Sequence, residues 1–294
     1  MTKKKSKKKE PPVQGTLLIC VGCGGIFYHG LTRMSVWVQK RDGAKVLLID
    51  PDKIEAKNRT RQWGSGIGHY KVCVAREALV LGLGLDEKKI YTYQGRAIPT
   101  LFHPDILEES SDGELLEDIG RVVVVATPDN HLCRKEVHEG CVTLAMKSGL
   151  PVYEITAGND MEGGYAYGCV HHREETKVAS DGKGTSRTVV VKCDGDWVLR
   201  HPDIIKEAEL EAQRLAEPMP CGEMEEEVLQ SAVTNSMTAG CVWDLAEMMM
   251  SGGMVGEALW NLCTDGENRY RKIWGKLQVI SALGTPMTCS SIDV

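Results

Sequence analysis

The run Thr16-Leu17-Leu18-Ile19-Cys20-Val21, closed by Gly22-Cys23-Gly24-Gly25, constrains this chain more than any other stretch. A short, uninterrupted apolar segment that ends in glycines predicts a strand buried on both faces. A helix follows it over 26–40. A strand with no polar face needs a packed layer above it and another below it, which points to a parallel sheet sandwiched between helices.

The next 120 residues repeat the theme. Strands are expected at 45–49, 90–93, 121–126 and 152–155, with helices at 70–83 and 131–148. The β-branched run Arg121-Val122-Val123-Val124-Val125-Ala126 is the clearest of these strands. The alternation predicts an α/β fold: a Rossmann-like, mostly parallel sheet with helices on both faces. Past residue 158 the pattern changes, and the second half is expected to add further strands and helices. Strands at 165–170 and 188–192 flank a polar stretch, 171–186, that reads as a loop with His171 and His172 solvated. A charged amphipathic helix follows at 203–217, then a Met-rich helical region at 224–250 whose methionines suit a core. A final strand is expected at 269–281. The chain thus divides into an arm over 1–15, a first half over 16–160, and a second half of the same domain over 161–294.

Six lysines crowd the first nine residues, a block that repels itself and predicts a disordered arm. The net charge of the whole chain is −6, so only this arm suits nucleic acid or another acidic partner. No apolar run is long enough to span a membrane, and no apolar segment follows the lysines as in a secretory signal. With 11 cysteines, an odd number, the expectation is reduced thiols and a cytoplasmic location. Cys20 and Cys23 have zinc-ligand spacing but lie in the glycine turn without a second pair, so zinc is not expected there.

Gly22, Gly24 and Gly25 sit where a strand enters a helix, so the backbone can approach a phosphate at the helix N-terminus. Asp50 ends the second strand, where an acid can bond ribose hydroxyls, although Asp-Pro-Asp is also good turn chemistry. An NAD-dependent oxidoreductase would show both features. The following residues read Asp50-Pro51-Asp52, then Asn58, Arg61 and Gln62, then Gly68-His69-Tyr70-Lys71, and finally Asp129-Asn130-His131-Leu132-Cys133-Arg134. Together with the glycine turn, these motifs resemble the ThiF/MoeB adenylating family, relatives of ubiquitin-activating enzymes. The pattern is most like phage and plasmid members, and Tyr153-Glu154-Ile155-Thr156-Ala157-Gly158-Asn159, Pro218-Met219-Pro220-Cys221-Gly222-Glu223 and Val233-Thr234-Asn235-Ser236-Met237 extend it.

The resemblance implies ATP and Mg²⁺ as cofactors and adenylation of a carboxylate with release of pyrophosphate. It implies a ubiquitin-like or sulfur-carrier protein as partner, modified at its C-terminus, with a small acid or a modified tRNA base as alternative substrates, and a homodimer. Carried over residue by residue, Gly22, Gly24, Gly25, Asp50, Asp52, Asn58, Arg61, Gln62, Lys71 and Asn130 bind nucleotide. Arg61 and Lys71 neutralise phosphate, Asp129 holds Mg²⁺, and Cys221 is a thioester candidate whose alternative is an inert thiol. The alternatives for Arg61 and Lys71 are surface salt bridges, and for Asp129 a helix cap. The family's N-terminal arginine is missing from 1–15, with Arg33, Arg41 or an arm lysine as stand-ins, and its zinc-binding cysteine pairs are missing too. A non-catalytic nucleotide-binding scaffold is the remaining alternative.

Overall fold

The computed structural model describes residues 14–56, 66–109, 111, 113–159, 163–179, 185–216, 232–252, 255–264, 270–280 and 286–287. Strand β1 (Gly15–Val21) turns directly into helix α1 (Gly25–Gln39), and the chain returns as β2 (Lys45–Ile49). Helix α2 (Lys71–Glu77) leads to β3 (Ile90–Tyr93), and α3 (Pro104–Glu109) leads to β4 (Ile119–Ala126). Helix α4 (His131–Ser148) then connects to β5 (Val152–Asn159). These five strands are all parallel, in the order β3-β2-β1-β4-β5. The α/β, Rossmann-like expectation therefore holds.

The second half extends the same sheet with antiparallel strands. Strand β6 (Gly163–Ala179) pairs with β5 on one side and with β7 (Thr185–Asp194) and β8 (Val255–Thr264) on the other. Strand β9 (Tyr270–Ile280) and the short β10 (Pro286–Met287) complete the edge. Helices α5 (Trp197–Arg200), α6 (Pro202–Ala216) and α7 (Ala232–Gly252) lie between β7 and β8 in sequence.

Side chains alternate across the central strands, so β1 feeds two cores at once. Leu18 and Cys20 join Phe27 and Met34 of α1, Ala75 of α2, and Trp243 of α7. Leu17 and Ile19 join Phe102 and, from α4, Val137 and Leu144. Leu17, Leu18 and Ile19 are fully buried, each worth about 1.5–3 kcal/mol against exposure. Cys20 and Cys23 belong to the first core, where burial raises both thiol pKa values. Helix α7 comes close to α1 because Gly30 has no side chain: a Cβ there would lie 2.6 Å from Trp243 Nε1. Helix α4 stops at Gly149, whose φ of +73° suits glycine, and whose N–H bonds the Ala145 carbonyl at 3.0 Å.

One expectation fails. The described residues of the stretch 171–186 are strand rather than loop, because β6 continues to Ala179 and β7 begins at Thr185. The polar residues of β6 pair with the β-branched run Thr188-Val189-Val190-Val191 of β7, and that pairing satisfies the backbone without an apolar sequence on both strands. His171 is correspondingly buried rather than solvated, while His172, on the opposite side of the strand, is partly exposed. The lysine arm, Asn58, Arg61, Gln62 and Cys221 lie outside the described residues, as does the 224–231 portion of the expected Met-rich helix. Among the described residues, no helix is long and apolar enough to cross a membrane.

Candidate functional site

The strand order reverses between β1 and β4, and α1 and α4 leave these strands on opposite faces of the sheet. A crevice opens beyond the carboxyl ends of such a pair, the usual ligand position in open α/β sheets. Its floor is the turn after β1. Gly22 has φ +84°, and a Cβ there would meet Pro128 N and Thr127 C at 2.8 Å. The turn is sewn to the exit of β4: Thr127 N–H donates to Val21 O at 2.8 Å, and the Thr127 hydroxyl donates to Gly22 O at 2.8 Å. Gly25 is closed in differently, since its Cβ would lie 2.4 Å from Asn235 Nδ2. Gly24 alone faces open space, with nothing within 4 Å of a Cβ.

Asp50 is only 4% exposed and fixes the same turn from the side. Its Oδ2 accepts the Cys23 N–H at 2.6 Å, and its Oδ1 accepts the Asp52 N–H at 2.8 Å. The second bond is the turn chemistry of Asp-Pro-Asp. Both oxygens keep a further lone pair for a hydroxyl. Burial raises the Asp50 pKa, while Lys71 and the two N–H donors pull against it.

Lys71 opens α2. Its N–H bonds the Asp52 carbonyl at 2.9 Å, and its ammonium meets Asp52 Oδ2 at 2.8 Å. Burial alone would lower the Lys71 pKa, but Asp50, Asp52 and Asp129 outweigh it and hold the ammonium above its ordinary value. The salt-bridge alternative is thus present as a contact. The cation nevertheless sits among three carboxylates drawn from the ends of two strands, β2 and β4.

Asp129 is exposed, just beyond β4. It is not the helix cap. That role belongs to Asn130, whose Oδ1 accepts the Cys133 N–H at 2.7 Å. The Asn130 side-chain carbonyl is therefore committed to α4, and its amide lies 3.4 Å from Asp129 Oδ1. Arg134, only 5% exposed, braces the loop through Pro128 O at 2.5 Å and Ala157 O at 3.3 Å.

The structure thus gathers Gly22, Gly24, Gly25, Asp50, Asp52, Lys71, Asp129 and Asn130 beyond the carboxyl ends of the central strands β1, β2 and β4. Arg33 and Arg41 do not join them. Each pairs with α7 instead, Arg33 with Asp244 at 2.9 Å and Arg41 with Glu247 at 2.8 Å. Three residues without an assigned role from the sequence form a network beside the glycine turn. Asn159, at the end of β5, donates to Thr234 Oγ1 and Asn235 Oδ1, both at 3.0 Å. Asn235 packs on Gly25, and Asn159 Oδ1 and Asn235 Nδ2 are buried without hydrogen-bond partners among the described residues. The sequence signal was a polar pair opening an otherwise apolar helix, more than 200 residues from the turn it touches.

No protein-family model matches the chain, and no curated protein matches it. Among solved structures it is similar to E. coli MccB, crystallised with MccA-N7isoASN. The TM-score is 0.46 at 16% sequence identity, over 89% of this chain and 64% of that one. The chain therefore spans less than two thirds of that protein's length. The α/β assignment rests on the strand order itself.

Proposed function

We propose that the chain is an ATP- and Mg²⁺-dependent adenylyltransferase that activates a carboxylate, the C-terminus of a ubiquitin-like or sulfur-carrier protein, and that it works as a homodimer. One observation carries the reading: an open glycine, a lysine and an exposed aspartate stand beyond the carboxyl ends of the neighbouring strands β1, β2 and β4, together with the buried acid Asp50. The Gly24–Gly25 backbone at the start of α1 suits a phosphate chain, because N–H groups and the helix dipole both favour negative charge there. Asp50 would accept a ribose hydroxyl. Lys71 would exchange part of its carboxylate cage for phosphate oxygens as negative charge builds on them. Asp129 would be the oxygen ligand for Mg²⁺, which would supply positive charge to offset the negative charge of the phosphates. Asn58, Arg61, Gln62 and the thioester candidate Cys221 enter this proposal from sequence alone. An NAD-dependent oxidoreductase uses Gly22, Gly24, Gly25 and Asp50 but gives Lys71 and Asp129 no task.

Calorimetric titration with ATP·Mg²⁺ and with NAD⁺ separates the two. The proposal expects ATP·Mg²⁺ to bind and Asp129→Ala to abolish the Mg²⁺ dependence. Binding of NAD⁺ alone would overturn it.

A further inference from the structure

A second cluster lies on the sheet face under α4, away from the crevice. His138 of α4, Glu154 of β5, and Cys169 and His171 of β6 are all buried, and one ligand atom from each lies within 4.8 Å of the others. Glu154 Oε2 sits 2.8 Å from His138 Nδ1, 2.8 Å from His171 Nε2 and 3.3 Å from Cys169 Sγ. Cys169 Sγ is also 3.5 Å from His171 Nε2. Read as hydrogen bonds, these contacts oversubscribe the site. One carboxylate oxygen has two lone pairs and faces three donors, and His171 Nε2 would have to serve both oxygen and sulfur. Read as edges of a coordination polyhedron, they belong together. Zinc bonds of about 2.0–2.3 Å to N, O and S give tetrahedral edges of about 3.3–3.6 Å. The two sulfur contacts already match, and the two 2.8 Å contacts need to open by about 0.5 Å to reach that edge.

We propose that His138 Nδ1, Glu154 Oε2, Cys169 Sγ and His171 Nε2 form a closed, four-ligand site for a divalent transition metal, zinc foremost by its ligand set. The surroundings fit. Metal-bound groups are held by an outer layer of partners: the Trp197 indole N–H donates to Glu154 Oε1 at 2.8 Å, and His138 Nε2 faces Asp196 at 3.8 Å. Among the described residues His171 Nδ1 is buried without a nitrogen or oxygen partner, and its neighbour is Cys193, the residue facing it on β7. On loading, the Cys169 thiol proton leaves to solvent, and the protons on the ligating His138 Nδ1 and His171 Nε2 leave to solvent or move to the outward nitrogen, so that each imidazole ends neutral with one proton on its outward nitrogen. A carboxylate, a thiolate, two neutral imidazoles and a dication then sum to zero charge, which a fully buried site requires. Four protein ligands leave no open position, so the site is structural. It ties α4 to β5 and β6, and α4 begins at the wall of the crevice that carries Asp129 and Asn130.

The test is elemental analysis of the full chain as purified, followed by chelation and reloading with Co²⁺. About one equivalent of zinc is expected, with a thiolate-to-cobalt charge-transfer band on reloading. A melting temperature that falls on chelation is expected as well. Cys169→Ser should lose the band, and Cys73→Ser, away from the cluster, should keep it. No bound metal together with no cobalt uptake would overturn the proposal and leave a hydrogen-bonded network. A band that persists in Cys169→Ser would also overturn it, since the sulfur ligand would lie elsewhere. Should Cys169→Ser not fold, the wild-type cobalt spectrum decides, and the absence of a thiolate band refutes the assignment.

Discussion

Alanine at Gly22 and at Gly24 separates a structural glycine from a functional one, two positions apart in one turn. Gly24 has φ −90° and ψ −157°, a conformation open to any L-residue, and nothing within 4 Å of a Cβ. Folding of Gly24→Ala should therefore change by less than about 1 kcal/mol, because the lost freedom of the unfolded chain offsets the poorer N-cap that alanine gives α1. Gly22 has φ +84°, and a Cβ there meets the backbone of Thr127 and Pro128 at 2.8 Å. That backbone is pinned by two hydrogen bonds and cannot move aside. Gly22→Ala should lose about 1–3 kcal/mol for the strained φ alone, and more for the clash. Binding should rank the other way for the folded protein. If phosphate approaches the open side of Gly24, a methyl group there removes a charge-assisted backbone hydrogen bond worth about 1.5–3 kcal/mol. That is a loss of about 10- to 150-fold in ATP affinity. Denaturant unfolding and calorimetry with ATP·Mg²⁺ measure the two halves. Wild-type ATP affinity in Gly24→Ala would refute the phosphate assignment, and equal destabilisation by both variants would refute the account of the turn.

Lys71→Ala should cost about 2–4 kcal/mol of transition-state stabilisation, yet at most about 1 kcal/mol of fold stability, since its partner Asp52 is largely exposed. Steady-state turnover and melting curves on the same variant check this split. Asn130→Ala should destabilise by about 0.5–2 kcal/mol through loss of the α4 cap, measured by denaturant unfolding. Gly30→Ala should cost about 1–3 kcal/mol because its methyl meets Trp243, with a change in tryptophan fluorescence marking the displaced ring.

The first half of the fold was legible because β1, β2 and β4 are buried on both faces, so burial wrote itself into uninterrupted apolar runs. The pairing of β6 with β7 was not, because the two strands satisfy each other's backbone groups and have no comparable need for apolar sequence. The candidate nucleotide site was legible as spacing, since its residues come from the ends of successive strands that parallel topology must bring together. What the spacing could not reveal was division of labour. Asn130 rather than Asp129 caps α4, and Asp50 is held by two backbone donors. His171 reads as a surface histidine until β6 pairs with β5 and brings it against Glu154, with His138 arriving from a helix 33 positions earlier. Contacts of that range leave no local pattern, and the same holds for Asn235 beside Gly25.

The central claim is attack at the α-phosphate of ATP by a carboxylate. The most direct measurement follows ATP labelled separately at the α and γ positions, incubated with the protein, Mg²⁺ and a small ubiquitin-like protein ending in Gly-Gly. The account predicts pyrophosphate carrying the γ-label, α-label on the small protein as its adenylate, AMP only as that adenylate is hydrolysed, and loss of all three when the C-terminus is amidated. Release of ADP and inorganic phosphate, with no label transferred, would contradict it.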